Sequence, residues 1–250
     1  RDFCLSRGLG DVYKRQKKSI FFALTLIVGL LSGTAHTGEP SARPSVSILG
    51  DSYSTFEGYV KPDTNAVWYF SVPPEDLTDV DNVDQTWWRL LLDSTGWNLE
   101  QNNSFSGSTI CNTGYHGDDY SDRSFITRMD NLGNPDIILV FGATNDSWAD
   151  APIGEYKWEN QSPEDLYSFR PALGLLLEYM THSYPDARII YILNSDLKDE
   201  IDISVKTACT RYNVELIELD GIDKINGHPS VNGMKQIASQ IEQAVMHPRQ

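Results

Sequence analysis

The chain has 250 residues, with 20 Lys+Arg against 35 Asp+Glu, a formal net charge of −15. That balance excludes a nucleic-acid binder, which needs a basic face to neutralise phosphates. It also excludes docking on an anionic membrane surface, because no polybasic stretch follows the N-terminus. Hydrophobic residues make up 40% and charged residues 22%, the balance of a folded globular protein, and the length suits one α/β domain. The three cysteines, Cys4, Cys111 and Cys209, are too few for a disulfide scaffold and too far apart for a zinc site.

Residues 1–16 fit no targeting or domain pattern. The stretch 4–16 resembles translated sequencing-adapter sequence, and 1–16 are read as a non-native leader. Lys17 and Lys18 then precede an apolar run over 20–31, and Gly33 and Ala35 stand at −3 and −1 of a cleavage site. This is the order of a secretory signal peptide over 17–35. The run is about a dozen residues, short of the roughly 20 that span a bilayer, so no stable membrane anchor is expected. The expected location is secreted or periplasmic, with 36–250 as a single domain. Residues 1–35 hold six Lys/Arg and two Asp/Glu, so the remainder carries 14 against 33, a net of −19. In an oxidising compartment Cys111 and Cys209 either pair or stay as two thiols.

In chain order, Ser45–Gly50 (SVSILG) reads as a short buried strand. Residues 57–84, rich in Pro, Asp, Asn and aromatics without a period, read as a long surface loop. Residues 85–94 read as a helix ending at Gly96, a C-cap. A strand is expected over 97–101, and the apolar run 136–141 (DIILVF) is the clearest strand. After a loop over 147–161, Ser162 as N-cap and Pro163 at the first helical position open a helix running to His182. A strand over 187–193, a helix over 202–212, a strand over 214–219 and an amphipathic helix over 231–245 complete the chain. Short apolar strands alternating with helices indicate a parallel sheet covered on both faces. In such sheets the ligand site lies beyond the carboxyl ends of the strands.

The chemistry-bearing residues cluster there. The first strand runs into Gly50-Asp51-Ser52-Tyr53, and the second into Asn102-Asn103-Ser104-Phe105-Ser106-Gly107. The third runs into Gly142-Ala143-Thr144-Asn145-Asp146, and His228 follows the last strand. A serine hydroxyl is a weak nucleophile and needs an adjacent base, which His228 supplies to Ser52. The Ser52 N–H, the Gly107 N–H and the Asn145 amide suit an oxyanion hole. Glycine at 107 lets the backbone approach with no Cβ in the way.

These four marks, in this order, resemble those of the SGNH (GDSL-type) serine hydrolases from Ser45 to Val245. The resemblance implies a three-layer α/β/α sandwich with a central parallel sheet, flavodoxin-like, and ester hydrolysis through an acyl-enzyme. It implies no metal or organic cofactor. The G-x-S-x-G elbow of the α/β-hydrolases is absent from the chain. The family places an aspartate three residues before its histidine, and Ile225 stands there instead. Asp223 is the favoured catalytic aspartate, reaching the ring if 224–227 forms a slightly longer turn. A backbone carbonyl or Asn226 is the alternative, leaving a Ser–His dyad.

The acidic run from Asp76 to Asp84 lacks the glycine and terminal glutamate of a calcium loop and reads as a solvated loop. All six tryptophans lie between Trp68 and Trp158. Trp68, Tyr69, Trp148 and Trp158 occupy the loops after Ser52 and Asn145, as candidate substrate-binding residues rimming one pocket. Aromatic faces on loops suit sugar rings, which makes a small-molecule or glycan ester the expected partner and a carbohydrate O-acetyl esterase the leading function. A lysophospholipase or thioesterase with an apolar rim, an acyltransferase, and a glycan-binding module on a decayed esterase scaffold are the alternatives.

Overall fold

The apolar runs assemble into one sheet. In the computed structural model, which describes residues 43–246, the strands are β1 (Ser45–Gly50), β2 (Asn98–Ser104), β3 (Ile137–Gly142), β4 (Arg188–Leu193) and β5 (Glu215–Glu218). They lie in the order β2-β1-β3-β4-β5, and every neighbouring pair is parallel. The reading of 1–35 as leader and signal peptide lies outside the described residues.

Alternation along the strands builds two cores, because successive side chains point to opposite faces. Val46, Ile48, Ile137, Leu139 and Phe141 face α1 (Trp87–Thr95) and α6 (Val231–Met246). Leu49, Ile138 and Val140 face α2 (Phe125–Arg128), α4 (Phe169–Ser183) and α5 (Asp199–Tyr212). β3 is buried at all six positions, as its continuous apolar sequence requires, whereas β2 at the sheet edge starts with exposed and half-buried residues. A short helix, α3 (Thr144–Trp148), follows β3. The three-layer architecture is the expected one. Strand order reverses between β1 and β3, so the crevice for a ligand opens beyond their C-terminal ends.

Three elements differ from expectation. Residues 165–167 form only a 3-10 turn, and α4 starts at Phe169, not after Ser162. Pro171 explains this: inside a helix begun at 163 it would remove a hydrogen bond and clash with the preceding turn, whereas a start at Phe169 puts it in the first turn. The leading N–H groups of α4 go to Pro152 (2.7 Å) and Ile153 (2.9 Å). α5 starts at Asp199, earlier than expected, with Asp199, Glu200 and Asp202 in its first turn, where the helix dipole favours them. The third difference is a hairpin at the site. Cys111 and Cys209 are both buried free thiols. Among the described residues no helix is long and apolar enough to cross a membrane.

Candidate active site

β1 ends at Gly50, where nothing larger than glycine fits. A Cβ there would come within 2.5 Å of Ser104 Oγ and 2.7 Å of Ser54. Asp51 then caps a 3-10 turn over Ser52–Ser54, its carboxylate accepting from the Tyr53 N–H at 3.0 Å. The turn presents Ser52, which is 2% exposed, at the carboxyl edge of the sheet.

His228 reaches it from a hairpin. β6 (Lys224–Ile225) and β7 (His228–Pro229) pair antiparallel around Asn226-Gly227. Both turn residues have positive φ, 49° and 77°, the twist of a two-residue type I′ turn, which Asn-Gly favours. His228 Nε2 lies 2.9 Å from Ser52 Oγ. Nδ1 lies 3.2 Å from the Asn226 carbonyl. A carbonyl can only accept, so Nδ1 carries the hydrogen and Nε2 keeps its lone pair for the serine proton.

The expected partnership with Asp223 is therefore corrected. Its carboxylate accepts from the Ser230 hydroxyl, beyond the histidine. The tight hairpin, in place of a longer turn, puts Ile225 opposite His228 and leaves Asp223 at the base of α6. Asp79 also serves that helix end, accepting from the Val231 N–H at 2.9 Å.

Two tyrosines hold the hairpin. Tyr53 donates to the Gly227 carbonyl (2.5 Å) and Tyr69 to the Pro229 carbonyl (2.9 Å), on either side of the histidine. Burial pushes the His228 pKa down to about 4, against a smaller upward pull from the Asn226 carbonyl.

The three oxyanion candidates face the same edge. Gly107 sits at φ 82°. Neither its N–H nor that of Ser52 has an acceptor among the described residues. Asn145 lies on α3, entered through Ala143 at φ 77°, an uncommon conformation for a residue with a side chain. Asn145 Nδ2 donates to the Ser108 carbonyl (3.0 Å), while its Oδ1 accepts from Tyr115 (2.7 Å). One amide hydrogen therefore remains for a ligand. The neighbouring Asp146 accepts from the Ile110 and Cys111 N–H groups at 2.8 and 3.2 Å, tying the glycine loop to α3.

A buried guanidinium lies beneath. Arg128 donates to the carbonyls of Gly50 (3.2 Å), Asn103 and Arg123 (2.8 Å), and to Ser108 Oγ (2.9 Å). Burial lowers its pKa to about 9, offset in part by the Asp51 charge. Burial raises Asp51 to about 7 and Asp146 to about 6, each held down in part by the backbone N–H groups it accepts from. Among the described residues no group of three or more His, Cys, Asp or Glu is placed to hold a metal ion.

The four aromatic candidates divide. Trp68 stacks on the His228 ring, with centroids 3.6 Å apart and planes at 7°. Trp148, 40% exposed, meets the same ring edgewise at 5.7 Å and forms the open rim. Tyr69 is fully buried and holds the hairpin, so it has no surface for a substrate. Trp158 stacks on Tyr156 (5.0 Å) and packs beside Gly174 of α4 and Tyr212 of α5. Its ring is taken up by those helices, which removes it from the rim.

Sequence pattern does not mark Tyr53, Tyr115, Arg128 and Asp146 as site residues. Each acts on a partner far along the chain, so no local pattern marks it. The Asn226-Gly227 hairpin did carry a local signal.

The chain matches the family model described as GDSL-like Lipase/Acylhydrolase over residues 44–245. A solved Bacteroides ovatus protein assigned to the GDSL-like lipases is 56% identical, with a TM-score of 0.81 over 82% of this chain and 99% of its own. A Bacteroides uniformis protein with the same assignment is 53% identical, with a TM-score of 0.80 over 82% and 97%. A carbohydrate acetylesterase from Sinorhizobium meliloti is 13% identical with a TM-score of 0.53, over 82% of this chain and 99% of its own. That last likeness is one of fold alone. No curated protein matches the chain.

Proposed function

The chain belongs to the GDSL-like lipase/acylhydrolase family, and from that premise we propose that it is an exported serine esterase that removes small acyl groups, acetyl foremost, from carbohydrate through an acyl-enzyme on Ser52. The observation that carries the reading is the 2.9 Å contact of Ser52 Oγ with an imidazole whose other nitrogen faces a carbonyl.

In this reading the Ser52 proton passes to His228 Nε2 while an Oγ lone pair forms a bond to the acyl carbon. The carbonyl electron pair moves onto its oxygen, facing the Ser52 and Gly107 N–H groups and the free Asn145 amide hydrogen. The pair returns, the bond to the alcohol oxygen breaks, and that oxygen takes the proton from His228. A water molecule then gives its proton to His228 and attacks the acyl carbon. Acid leaves as Ser52 regains its proton. The Asn226 carbonyl orients the ring throughout.

The carbohydrate part of the proposal is supported by the exposed Trp148 face at the rim, by the acidic chain, and by the likeness of fold to a carbohydrate acetylesterase. Export is supported by the basic-then-apolar order of 17–35.

The test labels purified protein with a fluorophosphonate probe and locates the adduct by mass spectrometry. Ser52 should be labelled, and Ser52→Ala and His228→Ala should each lose p-nitrophenyl acetate hydrolysis by about 10⁴ or more. Acetyl esters should be preferred to octanoyl esters, and acetate should be released from acetylated xylan. No labelling in folded protein would overturn the mechanism. Preference for octanoyl would overturn the acetyl assignment and favour a lysophospholipase or thioesterase.

A further inference from the structure

His228 is 6% exposed, and among the described residues its ring nitrogens meet only Ser52 Oγ and the Asn226 carbonyl, with no carboxylate. Proton transfer from Ser52 makes it a cation in a site where burial opposes charge. In a triad the orienting carboxylate offsets that charge. Here Asp223 is engaged with Ser230, and the Asn226 carbonyl supplies only a dipole.

Among the described residues one ring lies flat on the imidazole, the Trp68 indole, at 3.6 Å and 7°. Tyr53, Trp148 and Tyr69 meet it at 57°, 72° and 80°, with centroids 5.4 to 6.5 Å away. An aromatic face is electron-rich and attracts a cation placed over it, most strongly for tryptophan and most strongly when water is excluded.

We propose that Trp68 is a catalytic residue of this enzyme: its indole face stabilises the imidazolium that His228 becomes when it takes the Ser52 proton, in the place a triad gives to a carboxylate. The proposal rests on Ser52 and His228 being nucleophile and base.

The backbone around Trp68 holds the stack in register with the reacting pair. The Trp68 N–H donates to Thr55 Oγ1 (2.9 Å), and that hydroxyl donates to the Ser52 carbonyl (2.9 Å). The next residue, Tyr69, donates to the Pro229 carbonyl, one residue past the histidine. Trp68 is thus tied to the nucleophile turn on one side and to the base hairpin on the other. Its indole N–H has no partner among the described residues, so the ring face, not the hydrogen bond, is what the site uses. The indole face that meets His228 is covered by the imidazole and is not open to a substrate sugar.

The test replaces Trp68 in the full chain, site-specifically, with mono-, di-, tri- and tetrafluorotryptophan. Fluorine withdraws electron density from the ring face at nearly constant shape. Log kcat for p-nitrophenyl acetate should fall stepwise with each fluorine, by about tenfold in all, with KM within twofold and Ser52 still labelled by the fluorophosphonate. A purely covering role would leave kcat unmoved. A flat series with intact labelling overturns this proposal alone. Absent labelling of the unsubstituted protein overturns the nucleophile assignment, and this proposal with it.

Discussion

The carboxylate of Asp223 accepts a hydrogen bond from the hydroxyl of Ser230, and Ser230 in turn caps α6 through the Gly233 N–H at 3.0 Å. The acidic residue nearest in sequence to His228 thus stabilises a helix start rather than the ring.

Asp223→Asn should keep kcat within about threefold, where loss of a triad aspartate costs about 10⁴. The change should lower stability by about 1 kcal/mol through the weakened cap. Steady-state kinetics with a thermal melt separate the two effects. A thousandfold fall in kcat in folded protein would restore Asp223 to the ring.

Burial holds His228 neutral down to about pH 4 against an ordinary value of 6.5. The acid limb of kcat/KM should therefore lie near pH 4, with most of the plateau activity kept at pH 5. The sign for stability follows from the same shift. Between pH 6.5 and 4 the unfolded chain binds the proton and the folded chain does not, so this contribution is full above 6.5 and declines as pH falls to about 4. The raised carboxylates act the other way. Asp51 and Asp146 stay protonated to about 7 and about 6 when folded, so their contribution declines as pH rises from 3.8 towards those values. A pH–rate profile with an acid limb near 6.5 would contradict the buried, neutral base.

The hydroxyls of Tyr53 and Tyr69 fix the carbonyls on either side of His228. Tyr53→Phe and Tyr69→Phe should each cost about 1 kcal/mol of stability. Each should also lower kcat by about tenfold by loosening the ring's position, with KM nearly constant. Chemical denaturation and kinetics on the two variants check this. An unchanged kcat in both would mean that the hairpin holds its place without them.

The Ser108 carbonyl can only accept, so it sets the Asn145 Nδ2 side, and the Tyr115 hydroxyl donates to Oδ1 and holds the amide in that pose. Asn145→Ala should lower kcat by about 10²–10³, the cost of one oxyanion donor. Tyr115→Phe should lose about tenfold, through the fraction of Asn145 turned the wrong way. Equal kcat for Tyr115→Phe and the parent protein would show that the Ser108 carbonyl suffices to orient the amide.

Local pattern determined the architecture and the edge where the candidate reacting groups gather. The apolar runs of β1, β3 and β4 could be buried only in a sheet covered on both faces, and Ser52, Gly107 and Asn145, just past β1, β2 and β3, had to lie together at its carboxyl edge. Pro171 and Asn226-Gly227 carried further local signals: a helix that starts late, and a two-residue hairpin. What surrounds the imidazole was decided only in three dimensions. A strand alternates its faces, so the turn length before His228 settles whether Asp223 or the Asn226 carbonyl meets Nδ1. The packing of the 53–69 segment against 226–229 settles that Trp68 covers the ring and that Tyr53 and Tyr69 hold its flanks. Those contacts join residues some 160 to 174 positions apart. The energy that selects them comes from burying aromatic rings and satisfying carbonyls together, which no short stretch of the chain can specify alone.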